Sequence, residues 1–279
     1  MKLGTSLAAR FDLTGRVAVI TGGSGLLGRE HAIALAEAGA MPALLDIHSV
    51  RLAEACDAVQ EATGTKPLTL LCDITDERQI RDASERITKE VRTPTILVNN
   101  AANNPKVEGN NGRTWSRLED FPIEAWNLDL GVGLTGAFLC SRVFGAGMAL
   151  NGAGVILNIA SDLALIGPDQ RIYRKAELAD SDQPVKPVTY SVVKAGLIGL
   201  TRYLATYWAD RGVRCNALCP GGVENDQDPE FIRTLTRLIP LGRMATKDEY
   251  RAAIAFLCSD ASSYMTGSVI PMEGGRTVW

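Results

Sequence analysis

Tyr190 and Lys194 are spaced so that they could act together on one proton. On a helix, a separation of four residues places both side chains on the same face, one turn apart. A nearby ammonium group favours phenolate over phenol and so lowers the pKa of the tyrosine. Such a tyrosine can take the hydroxyl proton of an alcohol while a hydride leaves the carbon. On many helices such a pair consists only of surface neighbours. Other motifs in the chain must therefore show whether this pair is catalytic.

A glycine-rich loop lies between a predicted strand and a predicted helix near the N-terminus. Residues 16–21 form an apolar run, and Gly23, Gly25 and Gly28 follow in the pattern G-x-G-x-x-G. Glycine at these positions permits a tight turn, close approach of a pyrophosphate and close packing of helix on sheet. Asp46 ends the next apolar run, where a carboxylate can bind ribose hydroxyls and repel a 2′-phosphate. The loop contains no Arg or Lys, so the sequence favours NAD, with NADP less favoured.

Strand-like and helix-like segments alternate along the chain. The predicted strands are residues 16–21, 43–46, 67–73, 95–99, 155–160, 213–218 and 268–271. The first predicted helix runs from the glycine loop to about residue 38. The others are 49–62, 76–91, 122–148, 190–210 and a segment capped by Thr246 and Glu249. Repeated βα units indicate an α/β fold, a Rossmann-type doubly wound parallel sheet in three layers. No linker or repeat interrupts it, so we expect a single domain over residues 1–279.

The composition excludes several kinds of partner. A net charge of −3 gives no electrostatic basis for binding nucleic acid or an acidic membrane surface. Residues 1–11 have no long apolar run, and we expect no signal peptide, membrane anchor or membrane-spanning stretch. With two histidines and six scattered cysteines, we expect no metal site and buried, reduced thiols. The expected location is cytoplasmic.

Further motifs make the chain resemble the short-chain dehydrogenase/reductase family over nearly its whole length. They are Thr21-Gly22-Gly23-Ser24-Gly25-Leu26-Leu27-Gly28, Asp73, Asn99-Asn100-Ala101-Ala102, Asn158-Ile159-Ala160-Ser161, Tyr190-x-x-x-Lys194, Pro220-Gly221 and Gly274-Gly275. The resemblance implies that Tyr190 is the acid/base, that Lys194 lowers its pKa and holds the nicotinamide ribose, and that Ser161 hydrogen-bonds the reacting oxygen.

The resemblance also implies a set of cofactor contacts. Asp73 and Ile74 would lie at the adenine, Asn100 and Ala101 along the cofactor, and the segment from Pro220 to Val223 near the nicotinamide. The full expected set is Gly22, Ser24, Gly25, Leu27, Asp46, Asp73, Ile74, Asn100, Ala101, Tyr190, Lys194, Pro220, Gly221 and Val223.

The chain departs from the family pattern in three places. Leu26 occupies a usual glycine position, which makes the loop similar to that of sugar-nucleotide epimerases and dehydratases. Gly133 stands where the family usually has a catalytic Asn that supports a water relaying protons to the lysine. The glycine pair Gly131 and Gly133 weakens the helix and favours a kink that frees carbonyl groups for such a water. Finally, 28 residues lie between Ser161 and Tyr190, more than the family usually has.

Two insertions, near residues 103–118 and 167–188, follow strands that should border the cofactor crevice. Their amide and guanidinium groups suit hydroxyl, carboxylate or phosphate groups, and we expect Arg171 and Arg174 to contact an anionic sugar. Residues 228–241 resemble the family's substrate lid. The family usually forms tetramers through helices equivalent to 122–148 and 190–210, so we expect a homo-oligomer, a dimer or tetramer.

Together these features predict an NAD-dependent oxidoreductase that interconverts a secondary alcohol and a ketone on a polar, carbohydrate-like small molecule. One alternative is a sugar (nucleotide) epimerase or dehydratase that recycles bound NAD, as the glycine spacing suggests. A second alternative, motivated by Gly133, is a catalytically silent nucleotide-binding regulatory protein. Retention of Ser161, Tyr190 and Lys194 argues against the second alternative.

Overall fold

The computed structural model describes residues 6–103 and 116–279. Its strands are β1 Val17–Thr21, β2 Met41–Asp46, β3 Leu68–Leu71, β4 Ile96–Asn99, β5 Gly154–Ile159, β6 Val213–Pro220 and β7 Val269–Met272. Its α-helices are α1 Leu7–Phe11, α2 Leu26–Glu37, α3 Ser49–Thr63, α4 Glu77–Glu90, α5 Ile123–Leu130, α6 Gly136–Leu150, α7 Val188–Tyr207, α8 Pro229–Thr236 and α9 Arg251–Cys258.

The seven strands form one parallel sheet in the order β3-β2-β1-β4-β5-β6-β7. The chain runs outward from β1 to β3 and then returns to place β4 on the other side of β1. This reversal between β1 and β4 creates the crevice at which doubly wound sheets bind ligands. The predicted Rossmann-type architecture is therefore confirmed.

Side-chain alternation along β1 shows why the sheet is covered on both faces. Ala18 and Ile20 belong to a core formed with α2, α3 and α9, while Val17 and Val19 belong to a second core with α4, α6 and part of α7. The side chains on both faces of β1 are therefore buried. Burial on both faces explains the continuous apolar sequence of this strand, which is typical of a parallel sheet between two helix layers.

The predicted helix 122–148 contains a π-helical turn in the structure. Residues Gly131–Thr135 form a π-helical turn, in which the Gly136 N–H bonds to the Gly131 carbonyl, between α5 and α6. The glycine pair predicts such an irregularity, and π-turns often mark functional sites.

The same stretch differs from the expectation that no segment could span a bilayer. The continuous helix Ile123–Leu150 is long and apolar enough to do so by length and composition alone. In the fold, 56% of its most apolar part is buried, and Cys140, Phe144 and Met148 lie in the core beneath the sheet. Its apolarity is that of a core helix.

The insertion at 167–188 packs against the predicted lid. Ile172 of the insertion is buried with Leu235, Ile239 and Met244, which lie in or just after α8. The rings of Tyr173 and Phe231 approach to 5.6 Å between centroids. We call this set of apolar side chains the lid cluster. The first insertion, 103–118, lies mostly outside the described residues.

Candidate active site

The glycine loop connects β1 to α2 at the point where the strand order reverses. A Cβ on Gly22, whose φ is +62°, would lie 2.8 Å from the Ala101 Cα, and one on Gly28 would overlap the carbonyl oxygen of Gly22. The loop thus leaves no room for side chains where backbone must approach a pyrophosphate, and it leads into the N-terminus of α2. These residues fit a dinucleotide.

Asp46 ends β2 beside this loop. One carboxylate oxygen accepts hydrogen bonds from the Ser24 hydroxyl at 2.6 Å and the Ser24 N–H at 3.2 Å. The other accepts from the N–H groups of Ile47 and His48. All four donors are neutral, and among the described residues no cation forms an ion pair with Asp46.

The end of β4 is tied to the end of β1. The Asn100 side chain donates to the carbonyl oxygens of Thr21 and Gly22, both at 3.1 Å, and the Asn100 and Ala101 N–H groups donate to the Thr21 hydroxyl. The two motifs that the sequence places 79 residues apart therefore form one wall of the crevice.

The expected adenine residues lie just beyond β3. The Asp73 carboxylate accepts from the N–H and hydroxyl of Thr75, and the Asp73 N–H donates to Gln79. Ile74 is buried and packs where a Cβ on Gly136 would otherwise stand. Gly136 is thus needed for the close approach of α6 to this loop.

At the other end of the crevice, Pro220 ends β6 and Gly221 follows it. The Gly221 N–H donates to the Met272 carbonyl, and Val223 pairs with Ala245 in an isolated bridge. A Cβ on Gly221 would lie 2.9 Å from the Glu273 Cα, so this turn also depends on glycine.

Ser161, Tyr190 and Lys194 come together at the carboxyl edge of the sheet. Ser161 follows β5, and Tyr190 lies in the first turn of α7, with its hydroxyl 3.5 Å from the Ser161 Oγ. One turn later, the Lys194 Nζ donates to the Ile159 carbonyl at 2.7 Å and lies 5.9 Å from the centre of the Tyr190 ring. The long insertion between Ser161 and Tyr190 does not separate them.

The electrostatics of this group differ from the sequence expectation. Burial raises the pKa of Tyr190, the Ser161 hydrogen bond lowers it, and the charge of Asp162 raises it. Burial also lowers the pKa of Lys194 to about 8, with a contribution from the charge of Lys186. In this structure Tyr190 is therefore held as a phenol, the form that can donate a proton to a carbonyl.

Three charged residues near the triad were not found from the sequence. Asp162 accepts a hydrogen bond from the Ser161 hydroxyl at 2.8 Å and forms an almost fully buried ion pair with Arg276 at 2.6 Å. Lys186 places its Nζ 3.8 Å from the centre of the Tyr190 ring, and burial lowers its pKa to about 8. Asp162 stands 114 residues from Arg276, so no local pattern could have paired them.

The prediction that Arg171 and Arg174 contact an anionic sugar stays a prediction. Arg171 is largely exposed and forms a two-pronged ion pair with Asp169, while Arg174 pairs with Asp180 on the surface of the same insertion. Each guanidinium group therefore has a carboxylate partner within the same insertion. Lys186 is a cation that lies next to the triad.

The six cysteines are free and buried, as the sequence predicts. Within residues 6–103 and 116–279, no group of three or more His, Cys, Asp or Glu side chains could hold a metal ion.

A glycine loop at the switch point of a parallel sheet and a Ser–Tyr–Lys group at the same edge define a Rossmann-type oxidoreductase that acts on CH–OH groups. The family model described as short chain dehydrogenase matches residues 16–173, and the model described as Enoyl-(Acyl carrier protein) reductase matches residues 175–277. The chain belongs to the short-chain dehydrogenase/reductase family.

Individual relatives cover almost the whole chain. A galactitol 2-dehydrogenase (L-tagatose-forming) from Cereibacter sphaeroides is 34% identical over 280 residues, covering 96% of this chain and 98% of its own. The crystal structure of a gluconate 5-dehydrogenase from Burkholderia cenocepacia, in complex with NADP and tartrate, is 28% identical with a TM-score of 0.83, covering 98% and 100%. That of an NAD+-bound xylitol dehydrogenase is 26% identical with a TM-score of 0.80, covering 94% and 99%.

Proposed function

We propose that the chain is an NAD-dependent dehydrogenase that interconverts a secondary alcohol and a ketone on a polyhydroxylated small molecule. Tyr190 exchanges the proton with the substrate oxygen, Ser161 hydrogen-bonds that oxygen, and Lys194 orients the cofactor ribose. The cofactor, when bound, supplies hydride transfer. The observation that carries this proposal is the meeting of Ser161, Tyr190 and Lys194 at the cofactor crevice.

The preference for NAD rests on Asp46. Its carboxylate lies at the end of β2 and is held in place by Ser24 of the glycine loop. Because its hydrogen-bond donors are neutral, the negative charge would repel a 2′-phosphate. The two solved relatives named above carry NADP and NAD+, so the family as a whole does not decide the cofactor.

The substrate class follows from the charges around Tyr190 and from the relatives. The relatives named above bear the names of galactitol, gluconate and xylitol dehydrogenases. Lys186 and Arg276 bring positive charge close to the triad, partly balanced by Asp162. We propose a linear polyol or its aldonic acid as substrate, and we place the enzyme in the cytoplasm as a homo-oligomer.

The direct test is a screen of alditols and the matching aldonates with NAD+ and NADP+, following reduced nicotinamide by absorbance. In the Tyr190→Phe variant we expect turnover to fall by about 100-fold or more, because only the proton-exchanging hydroxyl is lost. NADH affinity and the melting temperature should stay unchanged. Tyr264→Phe, at a fully exposed tyrosine, is the matched control. Wild-type turnover in Tyr190→Phe would refute the assignment.

Cofactor choice is tested by Asp46→Ala. We expect wild type to bind NADH more tightly than NADPH, and the variant to narrow this difference by improving NADPH binding. Ser24→Ala removes the hydrogen-bond partner of Asp46 but keeps the carboxylate, so it should retain the NAD preference. A wild-type preference for NADPH would contradict the role of Asp46.

A further inference from the structure

The backbone at Gly133 has no room for a side chain. A Cβ there would lie 2.5 Å from the Val193 Cγ1, so Val193 on α7 occupies the space that a larger residue would need. The side chain that the family usually supplies from this helix position is therefore absent, and the π-turn brings only backbone to the site.

Asp129 lies one turn before Gly133 on α5 and is 6% exposed. Its carboxylate accepts a hydrogen bond from the Asn103 amide at 2.7 Å and another from the Thr189 hydroxyl. Both donors are neutral. A buried carboxylate is costly unless hydrogen bonds satisfy its oxygens, and this one can accept about two more hydrogen bonds.

A small cavity of about 10 Å³ separates Asp129 from Lys194. Its wall includes both of these residues together with Gly133, Tyr190 and Val193. This volume is about that of one water, and a buried water needs two to four polar partners. Lys194 uses one of its three N–H groups on the Ile159 carbonyl, which leaves donors available, and Asp129 offers the acceptors.

We propose that Asp129 is a positioning residue that holds a water in this cavity against Lys194 and so completes the proton path in place of the side chain missing at Gly133. The inference rests on the proposed function. In alcohol oxidation the Tyr190 phenol releases its own proton towards Lys194 while its oxygen takes the proton from the breaking substrate O–H bond. Lys194 then passes one proton to the cavity water as it gains one from the Tyr190 side. The water passes one to Asp129, and Asp129 returns to its carboxylate form by releasing that proton to solvent through the open side of the cavity. One proton therefore reaches solvent for each hydride removed, and reduction reverses each transfer.

The charges around the cavity fit this path. Lys194 and Tyr190 face the cavity from α7. The positive charge of Lys186, in the segment before α7, contributes to the lowered pKa of Lys194. Asn103, four residues after β4, carries a neutral amide. Among the described residues that line the cavity, Asp129 is the carboxylate, and a carboxylate can both hold the water and accept its proton, whereas an amide can only hold it.

The test compares Asp129→Asn with Thr189→Val. Asn keeps an acceptor oxygen for Asn103 and places its NH2 group at Thr189, whose hydroxyl can turn to accept from it. Asn cannot take up a proton, so we expect kcat to fall by about tenfold or more. KM for alcohol and cofactor and the melting temperature should stay near wild-type values, and the solvent deuterium isotope effect on kcat should increase. Thr189→Val removes the hydroxyl partner of Asp129 but leaves the carboxylate, so it should keep most of the turnover.

A second pair of variants tests replacement directly. The starting variant is Asp129→Ala, to which Gly133→Asn and Val193→Ala are added. Val193→Ala makes room beside position 133, and Gly133→Asn supplies a polar group one turn after position 129, so the triple variant should regain part of kcat. Independently of activity, a crystal structure should show an ordered water between Lys194 and Asp129 that is lost or displaced in Asp129→Ala.

Three outcomes would overturn the inference: unchanged kcat and isotope effect in Asp129→Asn, equal losses in Asp129→Asn and Thr189→Val, or a dry cavity in the wild-type crystal. A wild-type protein without turnover on any alcohol would instead overturn the proposed function. In that case the crystallographic water alone would decide whether Asp129 and Lys194 share it.

Discussion

Lys194 shows how one buried cation can link catalysis to stability. It is 5% exposed, and burial lowers its pKa from the ordinary 10.5 to about 8. Below about pH 8 both the folded and the unfolded chain carry this charge, and the folded protein bears the full cost of burying it. Between about pH 8 and 10.5 the folded protein loses the proton first, so this cost disappears.

We therefore predict that wild type gains stability relative to Lys194→Met as the pH rises from about 8 to 10.5. The gain should be on the order of 3 kcal/mol, since each pKa unit corresponds to about 1.4 kcal/mol. Urea unfolding at several pH values measures it. Lys89→Met, at an exposed site on α4, should follow wild type at every pH. A constant difference between wild type and Lys194→Met would contradict the prediction.

The sequence was sufficient to predict the position of residues that a local pattern identifies. Tyr190 and Lys194 are four residues apart, and Asp46 ends a recognisable apolar run, so local pattern was sufficient. The ion pair of Asp162 with Arg276 depends on the path of the whole chain. The ion pair of Arg171 with Asp169, by contrast, joins residues only two positions apart.

At the scale of single elements, the glycine loop is the most constrained segment of the crevice. The contact between Gly28 in α2 and the carbonyl of Gly22 sets the angle at which the helix N-terminus faces the crevice. That contact is backbone against backbone, so it cannot be relieved by a rotamer change.

We predict that Gly28→Ala lowers the free energy of unfolding by about 1–3 kcal/mol, the usual range for overpacking, and weakens NADH binding. Chemical denaturation and fluorescence titration measure the two effects. Gly147→Ala is the control, because a Cβ there meets only Thr93 at 3.8 Å and helix propensity should improve. Equal behaviour of the two variants would show that the loop tolerates a side chain.

Element positions were easier to predict than element boundaries. The seven strands follow from apolar runs, but β3 is shorter than 67–73 because only Leu68–Leu71 pairs with β2. The Thr246 and Glu249 pattern forms the expected bond between the Glu249 carboxylate and the Thr246 N–H, yet α9 begins only at Arg251. The bond stabilises the turn that precedes the helix.

At the scale of the whole molecule, α6 and α7 carry large aromatic rings that are exposed on their outer faces. Tyr203 and Tyr207 on α7 are 61% and 58% exposed and stack at 5.6 Å, and Phe138 on α6 is 44% exposed. Large exposed rings on adjacent helices favour burial against another copy of the chain.

We predict that the protein is a dimer or tetramer and that Tyr203→Glu with Tyr207→Glu shifts it to smaller species, because charge would be buried at the interface. Sedimentation velocity measures the change. Leu7→Glu, on the exposed α1, should leave the assembly intact. A monomeric wild type, or a double variant with unchanged sedimentation, would exclude this interface.

The lid cluster has a consequence for redesigning specificity. Ile172 and Tyr173 belong to an insertion, whereas Phe231, Leu235 and Ile239 belong to the segment around α8, yet they share one small core. If only one of the two segments were replaced by that of a relative, the apolar side chains of the other segment would lose their packing partners. We therefore predict that chimeras keep this small core, and their stability, only when residues 167–188 and 228–241 are exchanged together.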